Sequence, residues 1–168
     1  KKASQKLHAL PRVSGLMSIN QRRILMKSFI QSQFGYSPLV WMFHSRELNN
    51  RINRIHERAL RLAYKDYSTS FQEHLIKDKS VTIHNRNLQV LVTEIYKFLN
   101  GISRKITGGV FELNEHNHEL RTGVSFKSRN IKTVHYGQQS ISDLAPRILT
   151  QVPDSIKNST TVTFFKVK

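Results

Sequence analysis

The stretch at residues 51–67, RINRIHERALRLAYKDY, carries the strongest pattern in the chain. Its cations recur at spacings of three and four residues, which is the period of one face of an α-helix. At about 100° per residue they fall within an arc of about 80°. We call this set the cationic face: Arg51, Arg54, Arg58, Arg61 and Lys65. The pattern predicts a helix with one strongly basic side.

Apolar residues recur along the same helix, on the side next to the cationic face. They are Leu48, Ile52, Ile55, Ala59 and Leu62, and we expect this stripe to pack while the arginine stems lie along its edge. A run of charge is often only a solvated helix face. Here Glu57 is the only acid between Glu47 and Asp66, so few salt bridges can cover the cations. At about 1.5 Å per residue the face spans roughly 20 Å, which suits contact with successive phosphates.

Helix-capping signals surround this stretch. Residues 3–10 resemble the end of a helix that stops near Pro11 and Gly15. Ser18 and Gln21 form a capping-box pattern, which predicts a helix to about Phe34. Four apolar residues should form its inner side: Ile24, Leu25, Phe29 and Ile30. Three cations should form its outer side and are candidate nucleic-acid contacts: Arg22, Arg23 and Lys27.

Further start and stop signals predict three more helices. Pro38 suits a first helical position, and the apolar run LVWMF at residues 39–43 should be buried. Ser45 can cap the arginine-rich helix, which should end near Lys65. Ser70 with Glu73 predicts a short helix to about Lys77. Thr82 can cap a last long helix, which Gly101 should close.

The chain changes character after residue 101. Phe126, Ile131, Val134 and Tyr136 alternate with cations and predict one or two short strands. Short helical turns, broken by Pro146 and Pro153, should follow. The fold class is therefore mainly α: a helical bundle over residues 1–101, followed by a small, irregular or mixed α/β segment over residues 102–168.

Composition limits the classes of function. The 168 residues carry a net charge of +16, and 13 of the 27 basic but only 3 of the 11 acidic residues lie before residue 67. The electrostatic field of so basic a protein attracts polyanions: nucleic acid is the first candidate and an anionic membrane surface the second. There is no cysteine, which excludes disulfides and thiol catalysis. No apolar run is long enough for a membrane span and no signal-peptide core is present, so we expect an intracellular protein without a membrane partner.

Catalytic and metal-binding patterns are missing from the sequence. Two-metal phosphoryl transfer needs clustered carboxylates, but the four aspartates stand apart: Asp66, Asp78, Asp143 and Asp154. The letters HNH at residues 116–118 lack the wide histidine spacing of the nuclease motif of that name. His56 and His84 have no ligand partner three or four residues away, so a surface or interface role is favoured. We therefore predict no catalytic residue, no metal ligand and no cofactor in this chain.

Two weaker nucleic-acid signals leave alternatives open. Aromatic rings at Tyr36, Trp41 and Phe43 can stack on bases, although core packing is the favoured interpretation. A second basic group lies in the loop-rich segment, where it is either a nucleic-acid contact or a soluble surface. Its members are Arg121, Lys127, Arg129 and Lys132.

The segment QSQFGYSPLVWMFHSRELNNRINRIHERALRLAYKDY at residues 31–67 resembles the region downstream of the polymerase core in non-LTR (LINE-type) retrotransposon reverse transcriptases. The resemblance continues through SFQEHLIKDKSVTIHNRNLQVLVTEIYKFLNGIS and, more loosely, ELRTG, VHYG and SISDLAPRIL. Within the family's pattern, Gly108 and Gly109 interrupt a helix and Leu149 replaces a frequent tryptophan. These departures indicate a divergent or decayed copy.

The resemblance implies a thumb: helices that hold an RNA or DNA template–primer duplex by backbone contacts made by the cationic face. It also implies a missing upstream palm domain as a partner, which would carry the paired aspartates and bind Mg²⁺. The chain would thus be a non-catalytic fragment of a nuclear or cytoplasmic RNA-directed DNA polymerase. The alternative is a helical interaction module that docks on a partner domain without touching nucleic acid.

Overall fold

In a computed structural model, 76% of the described residues are helical and none forms a strand. The structure describes residues 2–102, 133 and 140–153. Eight α-helices lie in these ranges: α1 Lys2–Val13, α2 Ile19–Met26, α3 Ser32–Gly35, α4 Pro38–Trp41, α5 Arg46–Tyr64, α6 Phe71–Asp78, α7 Ile83–Leu99 and α8 Ile141–Gln151. The mainly-α prediction is confirmed. The short strands predicted near residues 126–136 fall almost entirely outside the described residues.

Local capping explains where most of the helices begin. Ser18 and Ser70 each form a complete capping box, with Gln21 and Glu73 as the reciprocal partners. The Ser45 hydroxyl accepts from the Leu48 amide at the start of α5. These bonds satisfy amides that have no partner inside the helix, so the predicted starts are confirmed. Thr82 likewise accepts from the Asn85 amide at the start of α7.

The predicted end of α7 is also confirmed. Gly101 has a φ of +67°, and its amide donates to the Phe98 carbonyl at 3.1 Å. The Ile102 amide reaches back to the Lys97 carbonyl at 2.8 Å. This pair of bonds is the Schellman arrangement, which favours glycine because a Cβ strains the left-handed backbone.

The predicted break at Pro146 was wrong, whereas α1 ends at Val13, between Pro11 and Gly15 as predicted. Helix α1 passes through Pro11 to Val13, and α8 is one helix that contains Pro146. A proline removes a single hydrogen bond, and each helix continues past that gap. After Pro11 the Ser14 amide donates to the Leu10 carbonyl at 3.0 Å, so the turn remains closed.

The core of the first part of the chain surrounds α5. Contacts divide the chain into two compact units, residues 1–87 and 88–168. In the first unit α5 contacts α1, α2 and α6. The central buried side chains include Leu7, Met26, Leu60 and Leu75. In the second unit Leu91, Ile95 and Ala145 are buried. Within the described ranges, no helix is both long and apolar enough to cross a membrane.

A π-helical turn at Lys27–Gln31 joins α2 to α3. The extra residue of such a turn shifts the side chains that follow it around the helix axis. Here Ile30 and Gln31 are both buried, one in the apolar core and the other beside His56. The turn therefore presents two consecutive side chains to the interior.

Candidate nucleic-acid interface

The cationic face lies on the solvent side of α5. Arg51, Arg54, Arg58 and Lys65 are exposed, and Arg61 is half-buried. The buried residues of the same helix are His56, Ala59, Leu60 and Ala63. At about 100° per residue the centre of the buried set and the centre of the cationic set are about 170° apart. The cations are therefore on the side of α5 directly opposite the core.

This arrangement corrects the predicted packing stripe. Of its five members only Ala59 is fully buried, and Leu48 is 45% exposed. At about 100° per residue, the centre of the buried residues lies about 70° around the helix axis from the centre of the predicted apolar stripe. A tertiary contact explains this difference. Nε2 of the buried His56 ring lies 3.1 Å from Nε2 of Gln31, and this contact holds the His56 side of α5 towards the interior. The small side chains of Ala59 and Ala63 also allow close approach of neighbouring elements.

Most of the cations carry no ion pair. Arg61 is paired with Glu57, one turn earlier, at 2.8 Å. Within the described part of the chain, no acidic group forms a salt bridge with Arg51, Arg54 or Arg58. Lys65 Nζ donates to the Gly15 carbonyl at 3.3 Å. This acceptor is neutral and therefore does not compensate the positive charge of Lys65. The face thus presents concentrated positive charge to solvent.

The length of the face matches a short run of backbone phosphates. Arg51 and Lys65 are 14 residues apart, which is about 21 Å along an α-helix. Nucleic-acid strands advance about 3.4 Å per residue along the duplex axis, so this length covers about six steps. Helix α5 is also held rigidly by its caps and by packing on three other helices. The Cα atoms that carry its cations therefore have a fixed spacing.

The predicted outer cations of α2 have a different environment. Arg22 is buried, and its guanidinium donates to the Ala63 carbonyl at 2.8 Å and to the Met17 carbonyl at 2.6 Å. The outer placement of Arg22 was therefore wrong. Conversely, Ile24 is 68% exposed although it was expected to lie inside. Phe29, also expected inside, is exposed with Lys6 Nζ 5.7 Å from its ring centre.

The guanidinium of Arg22 explains this rotation of α2. Helix α5 ends at Tyr64, so the carbonyl of Ala63 has no acceptor role within the helix. Arg22 supplies the missing donor from the other side of the core. An arginine whose hydrogen bonds satisfy a buried helix end stabilises the fold, and such a role has no local sequence signature.

Arg23 and Lys27 converge on Asp78. Arg23 Nε lies 2.7 Å and Lys27 Nζ 3.5 Å from the carboxylate, which is fully buried. The Tyr64 hydroxyl donates to the same carboxylate at 3.0 Å. We call these four residues the Asp78 cluster. Burial opposes ionisation, but the bonds from Arg23 and Tyr64 and the charge of Lys27 outweigh it, so the pKa of Asp78 lies below its usual value. Sequence inspection singled out Asp78 only as an isolated acid.

His56 is an uncharged interior histidine. Its pKa falls from 6.5 to about 4, mainly because of burial; the negative charge of Asp78 opposes this shift and the positive charge of Arg86 adds to it. Phe71 meets the ring edge-on at a centroid distance of 5.6 Å. His56 was predicted to be a surface or interface residue; its ring is instead buried inside the fold, beside Gln31 and Phe71, so the surface placement was wrong. The pKa of His84 is also lowered, first by burial and then by the charge of His44.

The aromatic run before α5 is only partly packed. In the predicted buried stretch at residues 39–43 only Met42 is buried, and Val40 is 82% exposed. Trp41 Nε1 donates to the Tyr36 carbonyl at 2.8 Å and its ring lies 6.2 Å from that of Phe34. The prediction of a fully buried run was wrong because α4 has a single turn and leaves one side in solvent.

Other candidate features lie outside the described residues. These are the second basic group at residues 121–132, the HNH letters at 116–118 and the paired glycines at 108 and 109. In the ranges that the structure covers, no three histidine, aspartate or glutamate side chains come together in a way that could hold a metal ion.

The chain was also compared with known proteins. It matches no protein-family model, no curated protein and no solved structure. These comparisons therefore assign no function to the cationic face.

Proposed function

We propose that this chain is a non-catalytic, thumb-like part of an RNA-directed DNA polymerase and holds the template–primer duplex through its phosphate backbone. The contact surface is the cationic face of α5. The remaining partner in this proposal is an upstream palm domain, which would supply the catalytic carboxylates and Mg²⁺. The resemblance of residues 31–67 to LINE-type reverse transcriptases motivates the choice of duplex and of polymerase.

One observation supports the proposal most. Arg51, Arg54 and Arg58 project from the side of a rigid, capped helix opposite its core, without an ionic partner among the described residues. A face that served solubility alone would gain stability from interspersed acids. Uncompensated cations at a regular spacing instead favour a polyanion with regularly spaced charges. Backbone phosphates meet this requirement and carry no sequence information.

The proposal predicts how binding responds to salt and to loss of two arginines. If about five phosphates are contacted, log K should fall with log salt concentration at a slope of about −4 to −5. Arg54→Gln with Arg58→Gln should flatten that slope by about 2 and weaken binding to unrelated sequences equally. Folding should change by less than about 0.5 kcal/mol per site, because both side chains are exposed. Fluorescence anisotropy with RNA–DNA and DNA duplexes measures the affinities.

A matched pair separates the face from net charge. Lys2→Gln with Lys79→Gln removes two exposed charges outside α5. If both pairs weaken binding equally, only net charge matters and the cationic face has no special role. A flat salt response of the parent chain, or strong preference for one sequence, would contradict backbone binding. Primer extension by the clean chain with Mg²⁺ or Mn²⁺ would contradict its non-catalytic assignment.

A second candidate function, docking on a partner domain, is favoured by the exposed apolar side chains. Tyr36 and Val40 are each more than 80% exposed, and Ile76 is 76% exposed. Large exposed apolar surfaces often mark protein contacts. Under this alternative Val40→Ser with Ile76→Ser should abolish self-association or palm binding in analytical ultracentrifugation. Because this alternative involves no specific contact with nucleic acid, Arg54→Gln with Arg58→Gln should then change duplex affinity no more than Lys2→Gln with Lys79→Gln does.

A further inference from the structure

A groove of about 370 Å³ lies beside the cationic face, in the first unit. Leu7 and Pro11 of α1 and Leu62 of α5 give it apolar walls. Arg58 and Arg61 of the cationic face line it from one side, and Tyr67 lines it just after the end of α5. Its volume is in the range of about 300–1,000 Å³ that is typical of small-ligand sites. We call it the Tyr67 groove.

The chemistry of the lining selects a ligand with two different parts. Leucine and proline walls with the rings of Tyr67 and His8 favour a flat, weakly polar group, while two guanidinium groups favour an anion attached to it. A nucleotide combines these parts, because its base has a π-face for stacking and its phosphate pairs with arginine. A purely apolar ligand would leave the guanidinium of Arg58 unpaired, and a free phosphate would leave the apolar walls empty.

The backbone around Tyr67 is fixed although the ring itself is 64% exposed. The Asp66 carboxylate accepts from the amides of Ser68 and Thr69, each at 3.2 Å, and from the Thr69 hydroxyl at 2.6 Å. The hydrogen bond from Thr69 is the main reason that the pKa of Asp66 lies far below its usual value. On the other side, the Asp66 carbonyl lies 3.2 Å from His74 Nε2. A ring carried on an ordered turn loses less entropy when it stacks on a base.

The two arginines differ in how they are held. Arg61 Nη2 is fixed by Glu57, and its buried Nε has no hydrogen-bond partner among the described residues. Arg58 is exposed and belongs to both the groove and the cationic face. A strand that follows the face towards the C-terminal end of α5 therefore reaches the groove without leaving the positive surface.

We propose that the Tyr67 groove binds one unpaired nucleotide of the strand that the cationic face holds, with its base against Tyr67 and its phosphate on Arg58 and Arg61. This inference rests on the proposed function, and it adds a single-strand subsite at the end of the duplex-binding surface. It makes the chain sensitive to a junction between duplex and single strand.

The test compares three duplexes of equal length that bind the full chain: blunt, with a two-nucleotide overhang, and with the same overhang made abasic. Base stacking on one aromatic ring should make the overhang duplex bind at least about fivefold more tightly than the blunt one. The abasic overhang, which keeps its phosphates, should lose that gain. Fluorescence anisotropy at one salt concentration measures all three affinities.

Tyrosine variants assign the gain to the groove. Tyr67→Ala should remove the preference for the overhang and leave blunt-duplex affinity unchanged, whereas Tyr67→Phe should retain the preference. Tyr36→Ala is the matched control, since Tyr36 is also an exposed tyrosine and lies outside the groove lining. Far-UV circular dichroism verifies that each variant is folded.

The outcomes separate this inference from the proposed function. If blunt duplex binds with a steep salt slope but the overhang adds nothing, the groove inference alone is overturned. The same holds if the abasic overhang binds as tightly as the intact one, or if Tyr36→Ala removes as much of the gain as Tyr67→Ala. If no duplex binds at all, the proposed function fails and the groove inference fails with it.

Discussion

Replacing the buried carboxylate of the Asp78 cluster should measurably destabilise the first unit. Asp78→Asn keeps the shape of the side chain but removes the charge that holds Arg23 at 2.7 Å and Lys27 at 3.5 Å. A hydrogen bond to a charged partner contributes about 1.5–3 kcal/mol. Breaking a fully buried pair costs about 3–5 kcal/mol, but here the two cations retain some contact with solvent and can be hydrated. We therefore expect a loss of about 2 kcal/mol.

The assay is urea unfolding followed by circular dichroism at pH 7, with an unchanged m-value. Glu47→Gln is the matched control, because it removes one negative charge from an exposed position in the same unit. Its effect should stay within about 1 kcal/mol, the usual contribution of an acid in the first turn of a helix. If Asp78→Asn costs no more than Glu47→Gln, the Asp78 cluster contributes nothing specific to stability.

The same comparison has a defined pH dependence. The pKa of Asp78 in the folded chain lies below its ordinary value of 3.8. A carboxyl group with a lowered folded pKa contributes stability above its unfolded pKa and loses it as the pH falls through the folded one. The difference between the parent chain and Asp78→Asn should therefore be constant from pH 7 to 5 and narrow below about pH 4. A difference that widens in acid would refute the assignment.

Three further predictions concern stability. The pKa of His56 falls from 6.5 to about 4 in the fold, so the folded chain resists its protonation. The free energy of unfolding should therefore keep its full value above pH 6.5 and fall by about 3 kcal/mol as the pH is lowered to 4. His56→Gln should reduce this pH dependence in unfolding titrations. Lys79 ends α6 at a φ of +52°, so Lys79→Gly should raise the unfolding free energy by about 0.5–1 kcal/mol, whereas Gln72→Gly within α6 should lower it by about 1 kcal/mol. Leu60→Ala in the core should cost about 2–5 kcal/mol in denaturant unfolding, and Val40→Ala on the exposed side of α4 less than about 0.5 kcal/mol.

Local signals in the sequence were sufficient to predict the starts of α2, α5, α6 and α7 and the end of α7. The caps at Ser18, Ser45 and Ser70 and the left-handed stop at Gly101 were all predicted and confirmed. Each depends on hydrogen bonds between residues at most a few positions apart, so the sequence around it contains all the interacting groups. The concentration of exposed cations on one side of α5 follows from the helical period in the same way.

Tertiary structure decided which sides of those helices are buried and which charged side chains bond to partners inside the fold. The rotation of α5 depends on His56 meeting Gln31, and the burial of Arg22 depends on the carbonyl of Ala63, 41 positions away. The pairing of Arg23 with Asp78 spans 55 positions. Long-range partners of this kind leave no periodic signal, because an arginine that satisfies a buried group and one that faces solvent have the same spacing. The Tyr67 groove is likewise formed only when α1 folds against the end of α5, which brings Leu7 and Tyr67 to the same surface.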